Sequence, residues 1–238
     1  MFCLPIPAAG PATQIFMGRG IIKNIHQKAN MKKLLFVLLG GTIFVTSCVD
    51  NPEGKKAETK ESVAATTPTG GNTLTVDTAT SSIAWLGNKI TGKHNGTIRI
   101  SSGSLQLQEG KLTGGKFTVN MNSLRNLDIT DTAYQHKLEG HLKGADFFNV
   151  AEFPEANFEI TSVKDSASKL IISGNLNLRG VSKNITFDAD VIESNATGFK
   201  AKADFNINRL DWGVSYPGAK DDAISKEINL KIDLQAKS

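Results

Sequence analysis

The chain has 238 residues, 39% of them hydrophobic, a proportion that suits one large globular domain or two small ones. The formal charge of +4 suggests a polyanionic partner until the charges are located: five of the 27 basic side chains and none of the 23 acidic ones precede Cys48, leaving 22 against 23 beyond it. That near-neutral remainder lacks the clustered cationic charge that nucleic acid requires, and the two cysteines, Cys3 and Cys48, leave no disulfide framework within it.

Met31-Lys32-Lys33 is followed by an apolar run from Leu34 to Val45. About a dozen residues fall short of the roughly 20 needed to span a bilayer. A basic start, a short apolar core and small residues before a cut site describe a signal peptide over residues 31–47. It ends in Val45-Thr46-Ser47-Cys48, which resembles the lipobox of bacterial lipoproteins. A thiol is the group needed for thioether attachment of a diacylglyceryl chain, so Cys48 is expected to carry the lipid anchor. Residues 1–30 fit no export signal and read as an upstream extension from a misplaced start. The expected location is therefore the bacterial envelope, lipid-anchored, in the periplasm or at the outer membrane.

From Val49 to about Asn72 the only large apolar residues are Val49 and Val63. Such a segment cannot offset its ordering entropy and is expected to be a flexible tether over residues 48–72, reaching roughly 25 to 30 Å.

Beyond it, apolar and polar residues alternate with period two. Phe199, Ala201, Ala203, Phe205 and Ile207 interleave with Lys200, Lys202, Asp204, Asn206 and Asn208. One face is apolar and the other wet. The same arithmetic holds for Ile228 to Leu234, for Leu170, Ile172, Leu176 and Leu178, for Ile185 to Val191 and for Phe117, Val119 and Met121. Shorter runs at Ile83 to Trp85, Ile98 to Ile100 and Phe158 to Ile160 bring the set to roughly eight strands, separated by glycine-containing turns. One helix is expected from about Thr132 to Lys143, with Thr130 or Asp131 as its cap and Tyr134, Leu138 and Leu142 as its apolar stripe.

A single helix cannot cover eight one-sided strands, so the sheet must bury its apolar face against itself as a closed barrel or a sandwich. The small residues Ala84, Ala189, Ala201, Ala203 and Gly174 in the apolar set point to an interior with space left in it.

Several ordered motifs resemble the YceI-like lipid-binding domain. They are Ser82-Ile83-Ala84-Trp85 with Gly92-Lys93-His94-Asn95-Gly96, Leu142 to Val150 with Phe153-Pro154 and Phe158, Gly174 to Lys183, and Phe205 to Val214. The resemblance spans nearly all of residues 73–238. It implies an all-β, extended, lipocalin-like antiparallel barrel of about eight strands with one short helical segment. It also implies an isoprenoid or other long-chain lipid as ligand, no catalysis, no cofactor, and a fold that allows a dimer. The rival readings are an enzyme acting on a lipid in the same lumen and a structural envelope protein whose barrel is full.

The residues expected to face a ligand are Trp85, Phe117, Val119, Leu138, His141, Leu176, Phe187, Phe205, Ile207 and Arg209. His141 reads as a polar group meeting a headgroup at the barrel mouth or, more plainly, as a structural histidine. His94 is placed in a turn with the same two readings. Arg209 and Arg179 suit a phosphate headgroup, since guanidinium grips such oxygens in pairs, or else tie strand ends to loop carbonyls. The Asp146-Phe147-Phe148 aromatics are expected to plug the helix onto the sheet. No nucleophile motif stands near a base, and the metal-ligand spacing of paired histidines is missing, because His136 and His141 are five apart.

Overall fold

The computed structural model describes residues 49–65, 70–166 and 169–238. The expected signal peptide, the start at Met31 and the anchor Cys48 lie outside the described residues. In chain order the elements are β1 (Lys55–Lys56), β2 (Glu58–Glu61), β3 (Asn72–Val76), β4 (Ser82–Lys89), β5 (Gly92–Gln108), β6 (Lys111–Asn126) and α1 (Thr132–Lys143). There follow β7 (Glu155–Ser166), β8 (Lys169–Leu178), β9 (Val181–Ser194), β10 (Gly198–Asn208), a 3₁₀ turn (Arg209–Trp212), β11 (Gly218–Ala219) and β12 (Asp222–Lys237).

Successive antiparallel pairings run β5, β6, β7, β8, β9, β10, β12, and β12 returns to β5 through β4 along most of its length and through β3 at its end. This is a closed barrel of eight staves, one of them broken between β3 and β4. Closure leaves the alternating apolar residues nowhere to point but inward. Register shifts in the β5–β6 pair near Thr97, Ile100 and Gln106 let a 17-residue strand bend around the wall.

The helix begins where expected because Asp131 caps it: its carboxylate accepts from the Ala133 and Tyr134 backbone N–H groups at 2.9 and 3.0 Å. Its packing differs from the expected stripe. Leu142 is buried and Leu138 half-buried, but Tyr134 is 66% exposed, and the second side chain the helix buries is Glu139. That carboxylate accepts from the Asn126 backbone N–H at 2.9 Å and from Arg125 at 3.2 Å, fastening α1 across the end of β6. A buried acid so held is invisible to a hydrophobic pattern. Two other placements are also corrected. Ala84 sits between inward-facing Ile83 and Trp85 and so belongs to the outer face, and His94 lies within β5 rather than in a turn.

The expectation of a free tether does not hold for the first part of that segment. Strands β9 and β10 pair only where Ala189 to Ser194 meet Phe199 to Ala203. Beyond Ala203 they diverge, and residues 50–63 fill the opening as a strap. β1 runs parallel to β10, with Lys55 opposite Phe205, and β2 runs antiparallel to β9, from Glu58 opposite Thr186 to Glu61 opposite Lys183. The chain crosses from one edge to the other at buried Ala57, whose N–H donates to the Asn206 carbonyl at 2.9 Å.

Polar anchors hold both ends of the strap. Asn206 donates to the Pro52 carbonyl at 2.8 Å, the Ser225 hydroxyl to Asn51 at 2.8 Å, and Asn175 to the Val63 carbonyl at 2.6 Å. Gly54, at φ +146°, lies so close over the Asn206 and Asn229 side chains that a Cβ there would collide with both. Main-chain and amide hydrogen bonds on open strand edges therefore supply what the missing apolar residues cannot.

Candidate functional site

Inside the barrel lies one long cavity of about 260 Å³, close to the lower end of the roughly 300–1,000 Å³ usual for small-molecule sites. All ten residues singled out in the sequence border it: Trp85 on β4, Phe117 and Val119 on β6, Leu138 and His141 on α1, Leu176 on β8, Phe187 on β9, Phe205 and Ile207 on β10, and Arg209 just beyond. The small residues Ala189, Ala201 and Ala203 also line it, and their missing side-chain volume is part of the space. Gly174 does not, because the Phe158 ring lies where its Cβ would be.

Aromatic rings form one side of the wall. Phe187 and Phe205 stack across β9 and β10 at 4.2 Å between centroids, Phe158 leans on Phe187 at 5.8 Å, and Phe117 stacks on Phe158 at 6.1 Å. Phe147 and Phe148, expected only to plug the helix down, do so and line the cavity as well, edge to face at 4.9 Å. Phe158 and Phe199 were missed as wall residues although both fall on the inward phase of their strands. Their signal was the alternation itself.

The cavity surface is apolar throughout, and polar residues stand around one end of it. Asn88, Lys89, His94, His141, Arg209 and Glu227 all border it where α1, the β4–β5 turn and the 3₁₀ turn gather, and Lys202, midway along β10, is the one other charged neighbour. The opposite end is bordered by Leu105, Leu112, Ile160, Phe199 and Leu234.

Two wall groups at or near the polar end are buried without a hydrogen-bond partner among the described residues: the Trp85 Nε1–H and the His141 Nε2. An orphaned buried donor costs about 1–3 kcal/mol. His141 sits edge-on to Tyr216 at 4.6 Å, with its Nδ1 3.5 Å from Asp146. Arg209 is 2% exposed, and the described residues include no carboxylate paired with it. Its Nε, Nη1 and Nη2 donate to the carbonyls of Ser225, Val214 and Ile224, and its Cζ stands 5.9 Å from the Phe147 ring centre. Burial holds its pKa below the ordinary guanidinium value. The carbonyl ties match the plainer of the two readings of this residue, and they leave a buried positive charge beside the lumen.

Arg179 likewise ties loops, donating to the Gly213 and Ala145 carbonyls at 2.9 and 3.1 Å. His94 donates or accepts at 2.8 Å with Asp128, which also accepts from the Asn95 backbone N–H at 2.7 Å. Burial pushes the Asp128 carboxyl up, but the hydrogen bonds from Asn95, His94 and Asn126 outweigh it and hold its pKa below the usual 3.8.

A closed antiparallel barrel around an apolar lumen is a lipocalin-like fold. Residues 74–236 match the YceI-like domain, and the chain belongs to that family. Among curated relatives it is 34% identical over 124 residues to Protein YceI of Salmonella arizonae, and equally to that of Salmonella newport, a match covering 47% of this chain and 62% of those proteins. The fold is shared with Burkholderia cenocepacia BcnA, at TM-score 0.57 and 20% identity over 68% of this chain and 99% of that one. It is shared too with a polyisoprenoid binding domain from Saccharophagus degradans implicated in plant cell wall breakdown, at TM-score 0.55 and 16% identity over 69% and 98%. The strap, at residues 50–63, lies outside the family match.

Proposed function

We propose that this protein is a membrane-anchored lipoprotein that binds a long-chain polyisoprenoid or similar amphiphile, as a carrier, store or sensor. The observation that carries the reading is the apolar surface of the lumen, with polar residues standing around one end of it. That is the profile of an amphiphile lying along the barrel, its tail against Phe117, Leu176, Phe187, Phe205 and Ile207. Its headgroup would meet His141, the Trp85 N–H and the positive charge of Arg209. The donors and the buried cation favour a headgroup that offers acceptor oxygens. The polyisoprenoid binding domain of Saccharophagus degradans, similar in fold, lends the ligand class support. Anchoring through Cys48 rests on the lipobox.

Native mass spectrometry and solvent extraction of protein purified from membranes test the reading together. A co-purified isoprenoid or comparable lipid, with Cys48 diacylglyceryl-modified in the intact mass, is the expected result. Turnover of the extracted lipid would favour an enzyme instead, an empty barrel indifferent to lipids a structural role, and an unmodified chain retaining Met1 would end the anchoring claim.

A further inference from the structure

Six large apolar side chains are exposed among the described residues, and four of them crowd one end of the barrel. Ile90 is in the β4–β5 turn, Leu127 follows the last residue of β6, Tyr134 is in the first turn of α1, and Leu210 is in the 3₁₀ turn. They are 46, 63, 66 and 39% exposed. They surround the polar end of the lumen, whose wall groups His141, His94 and Lys89 keep about a third of their side-chain surface open. At the other end the wall residues Leu105, Phe199 and Leu112 are 0, 3 and 7% exposed. Partly open wall residues therefore lie at the helix-capped end, beside buried Phe147, Leu142 and Arg209, whereas the wall residues of the other end are shut in.

The strap leads to the same place. Its first anchored residues are Asp50, whose carbonyl accepts from Asn88 at 3.2 Å, and Asn51, which accepts from Ser225 at 2.8 Å. Asn88 is the next-to-last residue of β4, two before Ile90, and Ser225 lies near the start of β12. Only two steps of chain separate Asp50 from Cys48, a span of roughly 7 Å even fully extended.

We propose that this rim is a bilayer-docking surface: Ile90, Leu127, Tyr134 and Leu210 enter the membrane interface, and the mouth of the lumen rests on the lipid. The inference rests on the reading of Cys48 as the lipid-bearing residue. Lysines and aspartates stand together at this end, Lys93, Lys137, Lys220 and Lys226 beside Asp131, Asp211 and Asp221, so attraction to anionic headgroups alone does not drive the contact. Apolar insertion does, with Tyr134 offering the aromatic body and polar tip suited to the interface. The diacylglyceryl group on Cys48 would keep the chain at the bilayer, and a weak apolar contact beside that anchor acts at high effective concentration. An amphiphile leaving the bilayer would enter the barrel tail first without crossing water.

The full lipoprotein, in a Cys3→Ser background, is reconstituted in phosphatidylethanolamine and phosphatidylglycerol vesicles with a nitroxide attached singly at Ile90→Cys, Leu127→Cys, Leu210→Cys, or Ile192→Cys toward the shut end. The three rim labels are expected to show a several-fold higher ratio of oxygen to nickel-chelate accessibility than the Ile192 label. A triple variant, I90D/L127D/L210D, is expected to take up a fluorescent isoprenol from vesicles about tenfold more slowly or worse, with uptake from detergent micelles unchanged. Intact mass of the same samples reports the anchor separately. Acylated protein whose rim labels remain in water, or whose triple variant takes up the probe from vesicles at the parent rate, overturns the docking surface while leaving the anchor standing. An unacylated Cys48 overturns the anchor.

Discussion

At the shut end of the barrel Leu74, Leu105 and Leu107 are within 1% of complete burial, and the Leu105 side chain presses on Gly115 so closely that a Cβ there would have no room. At the helix-capped end the deeply buried side chains include Arg209, Asn126 and Glu139, each held by named hydrogen bonds, and the wall retains orphaned polar atoms. Both ends are built from the same alternating strands. On the proposed reading the difference separates stability from recognition along one axis, with close packing at one end and buried polar side chains at the other.

The largest expected effect sharpens the stability half of that contrast. Leu74→Ala removes a wholly buried side chain from the shut end that does not border the lumen and should cost about 2–5 kcal/mol in chemical denaturation, with retention of the co-purified lipid unchanged in the folded protein. Phe205→Ala sits between the two regimes. It is 3% exposed and stacked on Phe187, yet it borders the lumen, so fewer atoms lose a neighbour. We expect a loss of about 1–3 kcal/mol for the lipid-free protein and at least tenfold weaker lipid retention. A destabilisation above about 4 kcal/mol with unchanged retention would mean a filled barrel and erase the contrast.

Trp85→Phe keeps one six-membered aromatic ring in the wall and removes the unpartnered N–H with the rest of the indole's five-membered ring. Its predicted signature is a shift in lipid affinity worth about 0.5–1.5 kcal/mol, seen by competition binding, with thermal stability held or slightly raised. Equal affinity in the variant would remove this donor from headgroup recognition. The smallest effect concerns acid. Because the folded pKa of Asp128 is lowered, its contribution to stability is present above the ordinary carboxylate value of 3.8 and is lost as pH falls through the lower folded value. Asp77 at the shut end and Asp222 at the helix-capped end, each bonded to a lysine, are lowered too. Asp128→Asn should therefore flatten only part of the acid limb of a stability profile taken downward from pH 5, and an unchanged limb would assign it to the other carboxylates.

The strands and the lumen wall were legible because closure converts a period-two pattern directly into inside and outside. Phe205 and Ile207 could be placed from their neighbours alone. The helix was legible from Asp131 and the spacing of Leu138 and Leu142, whereas burial of Glu139 depends on where the end of β6 passes, which local spacing does not encode. Trp212, fully buried with its Nε1–H donating to the Leu176 carbonyl at 3.0 Å, lies beyond the end of β10, where no alternation predicts its direction. The strap was read as a tether because its composition offers almost nothing to bury. Its order comes from edges opened by the divergence of β9 and β10, a long-range property that no window of residues 49–72 contains.

That divergence leaves two strands each with a main-chain edge that only the strap covers. With residues 50–63 peeled away or clipped, β9 from Val181 to Asp188 and β10 from Asp204 to Asn208 would present rows of unpaired N–H and C=O groups facing one another across a slot. Exposed edges of this kind template strand addition from neighbouring chains. By pairing with both edges, the strap withdraws from solvent main-chain groups through which one copy would otherwise be able to pair with another.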